Sequence, residues 1–199
     1  MRTAALLALA LAACGPPASP PATERAPTPA TPVRAPTGAP TPDDLALAEA
    51  NAAADELGRT LRARLLGALA EGGPAHAAEV CSTEAAALTA EVGARHGATV
   101  GRGSLRMRGA APPPGWVEAW LDAQGERTAE GVTGFARVED GHARVLRPIA
   151  IEAPCLTCHG ASPAPEVAAL LAERYPGDRA TGYAVGALRG ALYAEVPVR

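Results

Sequence analysis

Lysine is absent from this chain, and aromatic residues are scarce. All 18 basic residues are arginine, and aromatic side chains make up 3% of a sequence that is 48% hydrophobic. Alanine supplies much of that hydrophobic fraction, so a core built from it has few large side chains. The net charge of −3 argues against a nucleic-acid partner, which requires a basic surface. The length of 199 residues suits one domain with tails.

The apolar run at the N-terminus, residues 4–13, is too short to cross a bilayer as a helix. It follows Arg2 and is typical of a cleaved export signal at residues 1–13. The run ends in a sequence that resembles a bacterial lipoprotein box, Leu11-Ala12-Ala13-Cys14. We therefore expect a lipid on Cys14 that anchors the protein on the periplasmic side of a membrane, and the absence of a following aspartate favours the outer membrane. The alternative is an ordinary secretory signal.

Residues 14–42 are dominated by proline, alanine and threonine and hold little that contributes to a core. This composition favours extended polyproline geometry. We expect a semi-rigid tether between the anchor and a folded domain at residues 43–199. A peptide-recognition role for the prolines is the alternative.

Two amphipathic helices are predicted at the start of the domain. Thr41, Pro42 and the two aspartates after them form a typical helix start. Leucines at helical spacing extend the first helix to about residue 70. A Glu-Gly-Gly-Pro stretch at residues 71–74 ends it, and the second helix is expected at about residues 75–95.

The second half of the domain predicts antiparallel strands with short helices. Residues 98–108 alternate with arginines on one face, and residues 132–139 and 143–151 flank an Asp-Gly pair typical of a tight hairpin. Two helices and a final strand or hairpin complete the pattern, at residues 116–124, 164–174 and 181–198. Helices followed by antiparallel strands indicate an α+β domain.

One pentapeptide carries the strongest chemical signal, Cys155-Leu156-Thr157-Cys158-His159. Two cysteines separated by two residues and followed by histidine are the attachment signal for a c-type haem. We expect Cys155 and Cys158 to form thioethers with one haem c, and His159 to be an axial ligand of its iron. The alternatives are a thiol–disulfide pair, which lacks a thioredoxin-like βαβ context, or half of a zinc site, which lacks further ligands at regular spacing.

Cys81, inside the second predicted helix, has two interpretations. It is either a small buried hydrophobe or the second axial ligand, since thiolate is a known haem ligand. The other cysteines already have assignments, and a free thiol is a hazard in an oxidising compartment. Rival candidates, for which core packing or surface exposure is the simpler explanation, are Met107, His76, His96 and His142.

Arginines on the predicted strands are candidate partners for the haem propionates. Guanidinium groups pair naturally with carboxylates, so a contact is expected from Arg102, Arg106 or Arg147. A solvated surface position is the alternative for each of them.

Several stretches, in order from about residue 45 to residue 199, resemble the family of single-haem c-type sensor domains with a PAS-like fold. They are residues 78–82 (AEVCS), 101–108 (GRGSLRMR), 116–118 (WVE), 147–149 (RPI), 155–160 (CLTCHG) and 175–183 (YPGDRATGY). The resemblance implies a PAS-like antiparallel sheet flanked by helices, and a haem with His159 on one side and Cys81 on the other. Gly103, the loop at residues 109–115 and the Gly186-Ala187 pair depart from the family pattern and leave the local loop geometry open.

Two functions fit this sequence. A redox or small-ligand sensor would release Cys81 and its helix, giving a two-state element that another protein reads. A periplasmic electron-transfer cytochrome would need no such release. We do not expect an enzyme, because no acid–base constellation is recognisable. The expected partners are haem, the membrane and a signalling or redox protein.

Overall fold

Four helices and four strands make up the part of the chain that the computed structural model describes, residues 39–109 and 111–199. The helices α1 to α4 lie at Pro42–His96, Gly115–Gln124, Leu156–His159 and Pro165–Arg174. The strands β1 to β4 lie at Thr99–Gly103, Phe135–Glu139, His142–Ala150 and Leu188–Pro197, and a 3-10 turn covers Ala153–Cys155. The predicted export signal, Cys14 and the tether up to residue 38 fall outside these residues. Within them, no helix has both the length and the apolar composition of a membrane span.

Helix α1 begins and bends where the sequence predicts. The Thr41 hydroxyl accepts from the Asp44 N–H at 3.1 Å, and the Asp44 carboxylate accepts from the Thr41 N–H at 2.9 Å. This reciprocal cap satisfies backbone donors that the first helical turn leaves unpaired. The helical backbone breaks at Gly73, which has a positive φ of 73°. Glycine adopts such an angle readily because it has no side chain. The prediction of two helices divided at residues 71–74 is confirmed, since α1 consists of two arms.

The two arms of α1 lie antiparallel and are joined by small apolar side chains and ion pairs. Near the bend, Ala68 of the first arm clusters with Ala77 and Val80 of the second. Farther out, Arg64 Nε donates to the Glu84 carboxylate at 2.6 Å. The contacts therefore draw the two arms into a helical hairpin.

The four strands form one antiparallel sheet in the order β1-β4-β3-β2. Strands β2 and β3 are joined at Asp140 and Gly141, whose φ angles of 51° and 72° are both positive. Two successive positive φ angles are the signature of a type I′ turn, the tight turn that matches strand twist. The hairpin predicted from the Asp-Gly pair is confirmed.

Strand β1 stops well before the end of the predicted strand. The Ser104 hydroxyl donates to the Arg189 carbonyl oxygen at 2.7 Å and accepts from the Arg106 N–H at 3.1 Å. This side-chain turn competes with the strand ladder and ends it. Arg106 and Arg108 consequently lie in a loop beyond the sheet, and Arg102 is the arginine that the strand retains.

Helices cover both faces of the sheet, and the central strand β4 alternates between them. On one face its residues pack with Leu57 of α1; they are Leu192, Ala194 and Val196. On the other face, Ala191 and Tyr193 pack with Val117 and Leu121 of α2. Period-two alternation thus places apolar side chains in two cores. The predicted α+β class, an antiparallel sheet flanked by helices, is confirmed.

A histidine between two carboxylates joins the far ends of the α1 arms. His96 Nδ1 lies 2.7 Å from a Glu49 oxygen, and His96 Nε2 lies 2.9 Å from a Glu56 oxygen. These hydrogen bonds, the one to Glu56 foremost, raise the pKa of His96 above its ordinary value. Both ring nitrogens are therefore occupied, which explains His96 without a role in iron binding.

We expect His96→Gln to remove a pH-dependent part of the folding stability. A histidine whose pKa is raised by folding stabilises fully below its unfolded-state pKa of about 6.5, and that contribution is lost as pH rises through the folded-state pKa. Thermal unfolding of both proteins should differ by a few degrees at acid pH and converge at alkaline pH. His76→Gln, at a more exposed histidine of the same helix, is the control. A difference that does not change with pH would contradict this assignment.

Candidate haem site

Residues 155–159 form a short helical segment between β3 and α4. Cys155 ends the 3-10 turn, and α3 then runs to His159. The Glu152 N–H donates to Cys155 Sγ at 3.4 Å, which fixes the entry into the turn. Residues three apart share one face of a helical turn, so the fold presents Cys155 and Cys158 together.

The His159 imidazole is held as a neutral ring with a defined tautomer. Its Nδ1 lies 2.6 Å from the Ala180 carbonyl oxygen. A carbonyl oxygen can only accept, so Nδ1 carries the proton and Nε2 keeps its lone pair. Burial lowers the pKa of His159 to about 4, although the bond to Ala180 opposes that shift. A neutral imidazole whose other nitrogen donates to a carbonyl is the usual form of a metal-binding histidine.

A buried ion pair positions the carbonyl that orients His159. Arg108 Nε donates to the Asp178 carboxylate at 3.0 Å, and the two side chains are 14% and 10% exposed. The other Asp178 oxygen accepts from the Ala180 N–H at 2.7 Å. Arg108 Nη2 also donates to the Cys158 carbonyl oxygen at 2.7 Å. One guanidinium thus joins the pentapeptide to the segment that holds its histidine.

The pentapeptide packs against the second arm of α1. Cys158 clusters with Ala75 and Ala78 of that arm and with Val167 of α4. Cys81 lies one helical turn after Ala78 and therefore on the same side of the arm. Burial raises the pKa of the Cys81 thiol and of the Cys158 thiol. The positive charge of Arg108 opposes part of this shift at both thiols.

The three described cysteines, 81, 155 and 158, form no disulfide with one another. Among the described residues, the structure also brings together no group of three His, Cys, Asp or Glu side chains that would hold a metal ion by itself. The thiols are therefore available as separate groups.

Arg102 lies on β1, on the face that α1 covers, and it faces the region around Cys81. Within the described residues its guanidinium makes no hydrogen bond or ion pair. Burial lowers its pKa, while Cys81 and Tyr175 raise it in part. The side chain is nevertheless exposed to solvent. A carboxylate would be a favourable partner for this guanidinium.

The other two predicted propionate partners are engaged elsewhere. Arg106 Nε donates to the Arg179 carbonyl oxygen at 3.0 Å, and its guanidinium carbon lies 4.3 Å from the Tyr183 ring centroid. Arg147 is paired with Asp55 of α1 and donates to Asn51 at 3.0 Å. The Asp55 carboxylate already satisfies Arg147, so nothing in the structure supports its predicted propionate contact.

The remaining rival iron ligands also have local explanations. His76 Nε2 lies 3.5 Å from the Glu71 carboxylate, within the bend region of α1. His142 Nδ1 lies 2.9 Å from the Asp140 carbonyl oxygen, in the β2–β3 turn. Met107 lies half-buried in the loop after β1 and not on a strand, contrary to the prediction.

Sequence reasoning did not assign the residues that orient the histidine. Arg108, Asp178 and Ala180 are part of stretches that carried the family resemblance, but no spacing rule links them to His159. Arg108 precedes Gly109 and Asp178 follows Pro176-Gly177, but a single residue beside a turn carries no signal for this role. Only the fold shows that the two loops meet.

The fold and the site define a class of protein: an antiparallel α+β domain in which a Cys-X-X-Cys-His segment packs against a helical hairpin. The model of the Tll0287-like family matches residues 38–197, and the chain belongs to this family. This confirms the resemblance found in the sequence. The chain is also similar to the crystal structure of the cyanobacterial heme-protein Tll0287, with 29% identity and a TM-score of 0.48, over 59% of this chain and 71% of that one. No curated protein matches the chain.

We expect Asp178→Ala to destabilise the domain by about 3 kcal/mol, because it leaves the buried Arg108 charge without its partner. Urea unfolding measures this difference. Asp178→Asn keeps an oxygen that accepts from the Ala180 N–H, so its stability should lie between that of Asp178→Ala and that of the natural chain. Asp122→Ala, at an exposed position of α2, is the control. Equal stability of the Asp178→Ala and Asp122→Ala proteins would show that the ion pair is not structural.

Proposed function

We propose that this protein carries one covalently bound haem c, attached through Cys155 and Cys158, with His159 as an axial ligand. The observation that carries the proposal is the bond from His159 Nδ1 to the Ala180 carbonyl, which leaves Nε2 as a lone-pair donor in the segment that carries the two free thiols. Family membership supports it, since Tll0287 is described as a cyanobacterial heme-protein.

The residues of the site fit this group. Two thiols on one face of a helical turn match the two vinyl groups of the porphyrin, and a neutral imidazole is the form that binds iron. Arg102, with no partner among the described residues, would hold a propionate. When bound, the haem supplies one-electron iron chemistry, and the chain supplies attachment, orientation and a buried environment that tunes it.

Cys81 is the proposed second axial ligand. It lies on the same side of α1 as the residues that pack with Cys158, and burial keeps its thiol protonated in the absence of a metal. A metal ion overrides such a shift, because a coordinating thiol is deprotonated. The positive charges of Arg102 and Arg108, which lower the pKa of Cys81 in part, favour the thiolate as well.

A sensor is favoured over an electron carrier by the position of Cys81. It lies on the second arm of α1, whose apolar contacts with the first arm near the bend form one small cluster, and an Arg64–Glu84 ion pair adds to them; the members of the cluster are Leu65, Ala68, Leu69, Ala77 and Val80. A cluster of this size buries a limited apolar area near the bend. Release of Cys81 would then alter the arm, and a partner protein would read that change.

The proposal places this sensor outside the cytoplasm, anchored through a lipid on Cys14 and a tether that ends at residue 42. Its support is the sequence: an export signal, a lipoprotein box and a proline-rich segment precede the domain. Covalent attachment of haem to a Cys-X-X-Cys-His segment fits that location. Haem itself, the membrane and a signalling or redox protein are the proposed partners, and no catalytic activity is proposed.

Substitution of Cys81 tests the ligand assignment. We expect electron paramagnetic resonance of the ferric protein to give a low-spin thiolate signal, and Cys81→Ala to abolish it while the haem stays attached through its thioethers. Ser82→Ala, at the neighbouring position of the same arm, is the control and should leave the signal unchanged. A thiolate signal that survives Cys81→Ala would remove Cys81 from the iron.

Hydrogen exchange distinguishes the sensor from the carrier. For a sensor we expect amide exchange in residues 75–96 to be faster in the ferrous than in the ferric protein, because the Cys81 contact is lost on reduction. The Cys81→Ala protein should show the faster exchange in both states. Identical protection of this arm in both oxidation states of the natural chain would support the electron-transfer alternative.

A further inference from the structure

A cavity whose lining includes neither of the two attachment cysteines adjoins the segment that follows Ala180. Its volume is about 360 Å³, and its walls are the loop after β1, the C-terminal end of α2 with the loop that follows it, residues 182–185 and the start of β4. Leu121 and Leu188 contribute apolar surface, and Ser104, Thr128 and Tyr183 contribute hydroxyl groups. Such a combination of apolar wall and convergent polar groups is typical of a small-molecule site.

The charge of this cavity is strongly one-sided. Three arginines line it, Arg106, Arg127 and Arg189, against a single acidic residue, Glu126. Glu126 lies 4.0 Å from Arg106 and its side chain is 71% exposed, so it neutralises little of this charge. The whole chain is net negative, with a formal charge of −3. The excess of positive charge is therefore local to the cavity.

Arg189 makes hydrogen bonds only to uncharged groups within the described residues. Its Nη1 donates to the Ser104 hydroxyl and to the Arg106 carbonyl oxygen, the latter at 3.2 Å. No carboxylate lies within ion-pair distance of it among the described residues. Burial is the main cause that lowers its pKa, and the charges of Arg108 and Arg102 act in the same direction. A half-buried cation without a counter-charge is partly desolvated, and an anion in the cavity would offset that cost.

Arg127 also lines the cavity. The Leu188 N–H donates to its carbonyl oxygen at 2.8 Å, which joins the loop after α2 to the start of β4. Its side chain makes one long contact, to Gln124 at 3.5 Å. The guanidinium is thus free to turn toward a ligand, while its backbone is fixed.

We propose that this cavity binds a small organic anion with one or two carboxylate groups, held by Arg127 and Arg189, while Arg106 adds positive charge to the cavity without donating to the anion. The planar guanidinium matches a carboxylate in a bidentate arrangement, and two guanidinium groups that line one cavity suit a dicarboxylate. The leucine wall accommodates the hydrocarbon part. Tyr183, whose ring lies between Arg106 and Arg189 at 4.3 Å and 5.5 Å from their guanidinium carbons, adds a hydroxyl.

The cavity also borders the candidate haem site. The Tyr183 N–H donates to the His159 carbonyl oxygen at 2.9 Å, and the two rings are 6.2 Å apart. An anion bound by Arg189, beside Tyr183, would therefore change the surroundings of the histidine. This consequence rests on the proposed haem site, whereas binding of the anion does not.

Thermal unfolding of the haem-loaded chain tests binding. The probes are millimolar acetate, malonate, succinate and inorganic phosphate at constant ionic strength, with succinamide as the uncharged match for succinate. A ligand that binds only the folded chain raises its unfolding temperature with concentration. We expect malonate or succinate to do so and succinamide not to. A response to phosphate alone, or no response beyond that of added salt, would overturn the proposal.

Variants assign the effect to the cavity. Arg127→Gln, at an exposed position with no strong contact, should weaken dicarboxylate binding about tenfold in calorimetry, since hydrogen bonds to charged groups are the strong ones. Arg189→Gln should weaken it at least as much. Arg59→Gln, an exposed arginine of α1, is the matched loss of charge and should not change the affinity. Equal affinity in all three variants would overturn the assignment.

The same variants distinguish a free acid from a haem propionate, which presents the same carboxylate chemistry. If a propionate occupies the cavity, no free acid binds, and Arg127→Gln changes the Soret spectrum without any added ligand. That result would contradict the proposal. Dicarboxylate binding that persists in the haem-free Cys155→Ala/Cys158→Ala chain would support it, and this outcome is independent of whether the haem proposal holds.

Discussion

The buried pair between Arg108 and Asp178 is the contact on which the rest of the site depends. It joins two loops that are far apart in the chain, and each partner also makes a second bond: Asp178 to the Ala180 N–H, Arg108 to the Cys158 carbonyl. A carboxylate and a guanidinium with little solvent exposure cannot separate without leaving an unpaired charge. The pair therefore fixes the Ala180 carbonyl, and that carbonyl in turn selects the His159 tautomer.

The sheet and the α1 hairpin supply the framework around this contact. Strand β4 lies between β1 and β3, so it brings the loop after β1 close to the segment that follows α4. The second arm of α1 covers the pentapeptide from the other side, and it does so with small residues that allow a close approach. Cys81, Arg102 and Cys158 come from three different elements, the second arm of α1, β1 and α3. The proposed sensor function depends on this arrangement, since a ligand on the second arm of α1 would connect the iron to that arm.

Much of this architecture was predictable because its signals are local. The Thr41 cap, the break at Gly73 and the Asp140-Gly141 turn each depend on a few neighbouring residues, and each prediction is confirmed. Strand β1 was predicted too long, because alternation of arginines continues past the point where Ser104 ends the ladder. Arg147 was assigned to a propionate by residue type alone, and its pairing with Asp55 depends on the approach of α1 to β3. The arginine cavity was not predicted at all, since its three arginines come from three separate loops and strands.

The amino-acid sequence by itself determined the chemistry that this protein carries: two thiols and an imidazole at the spacing of a haem attachment signal, and a separate cysteine on a helix. Spacing along the chain is enough for the two thiols and the imidazole, because Cys155, Cys158 and His159 lie within five residues of one another. Only the tertiary structure decided which nitrogen of His159 is free, that Arg102 makes no hydrogen bond or ion pair within the described residues, and which aspartate positions the histidine. Those properties arise from burial and from contacts between residues far apart in the chain, and neither is written in any local pattern.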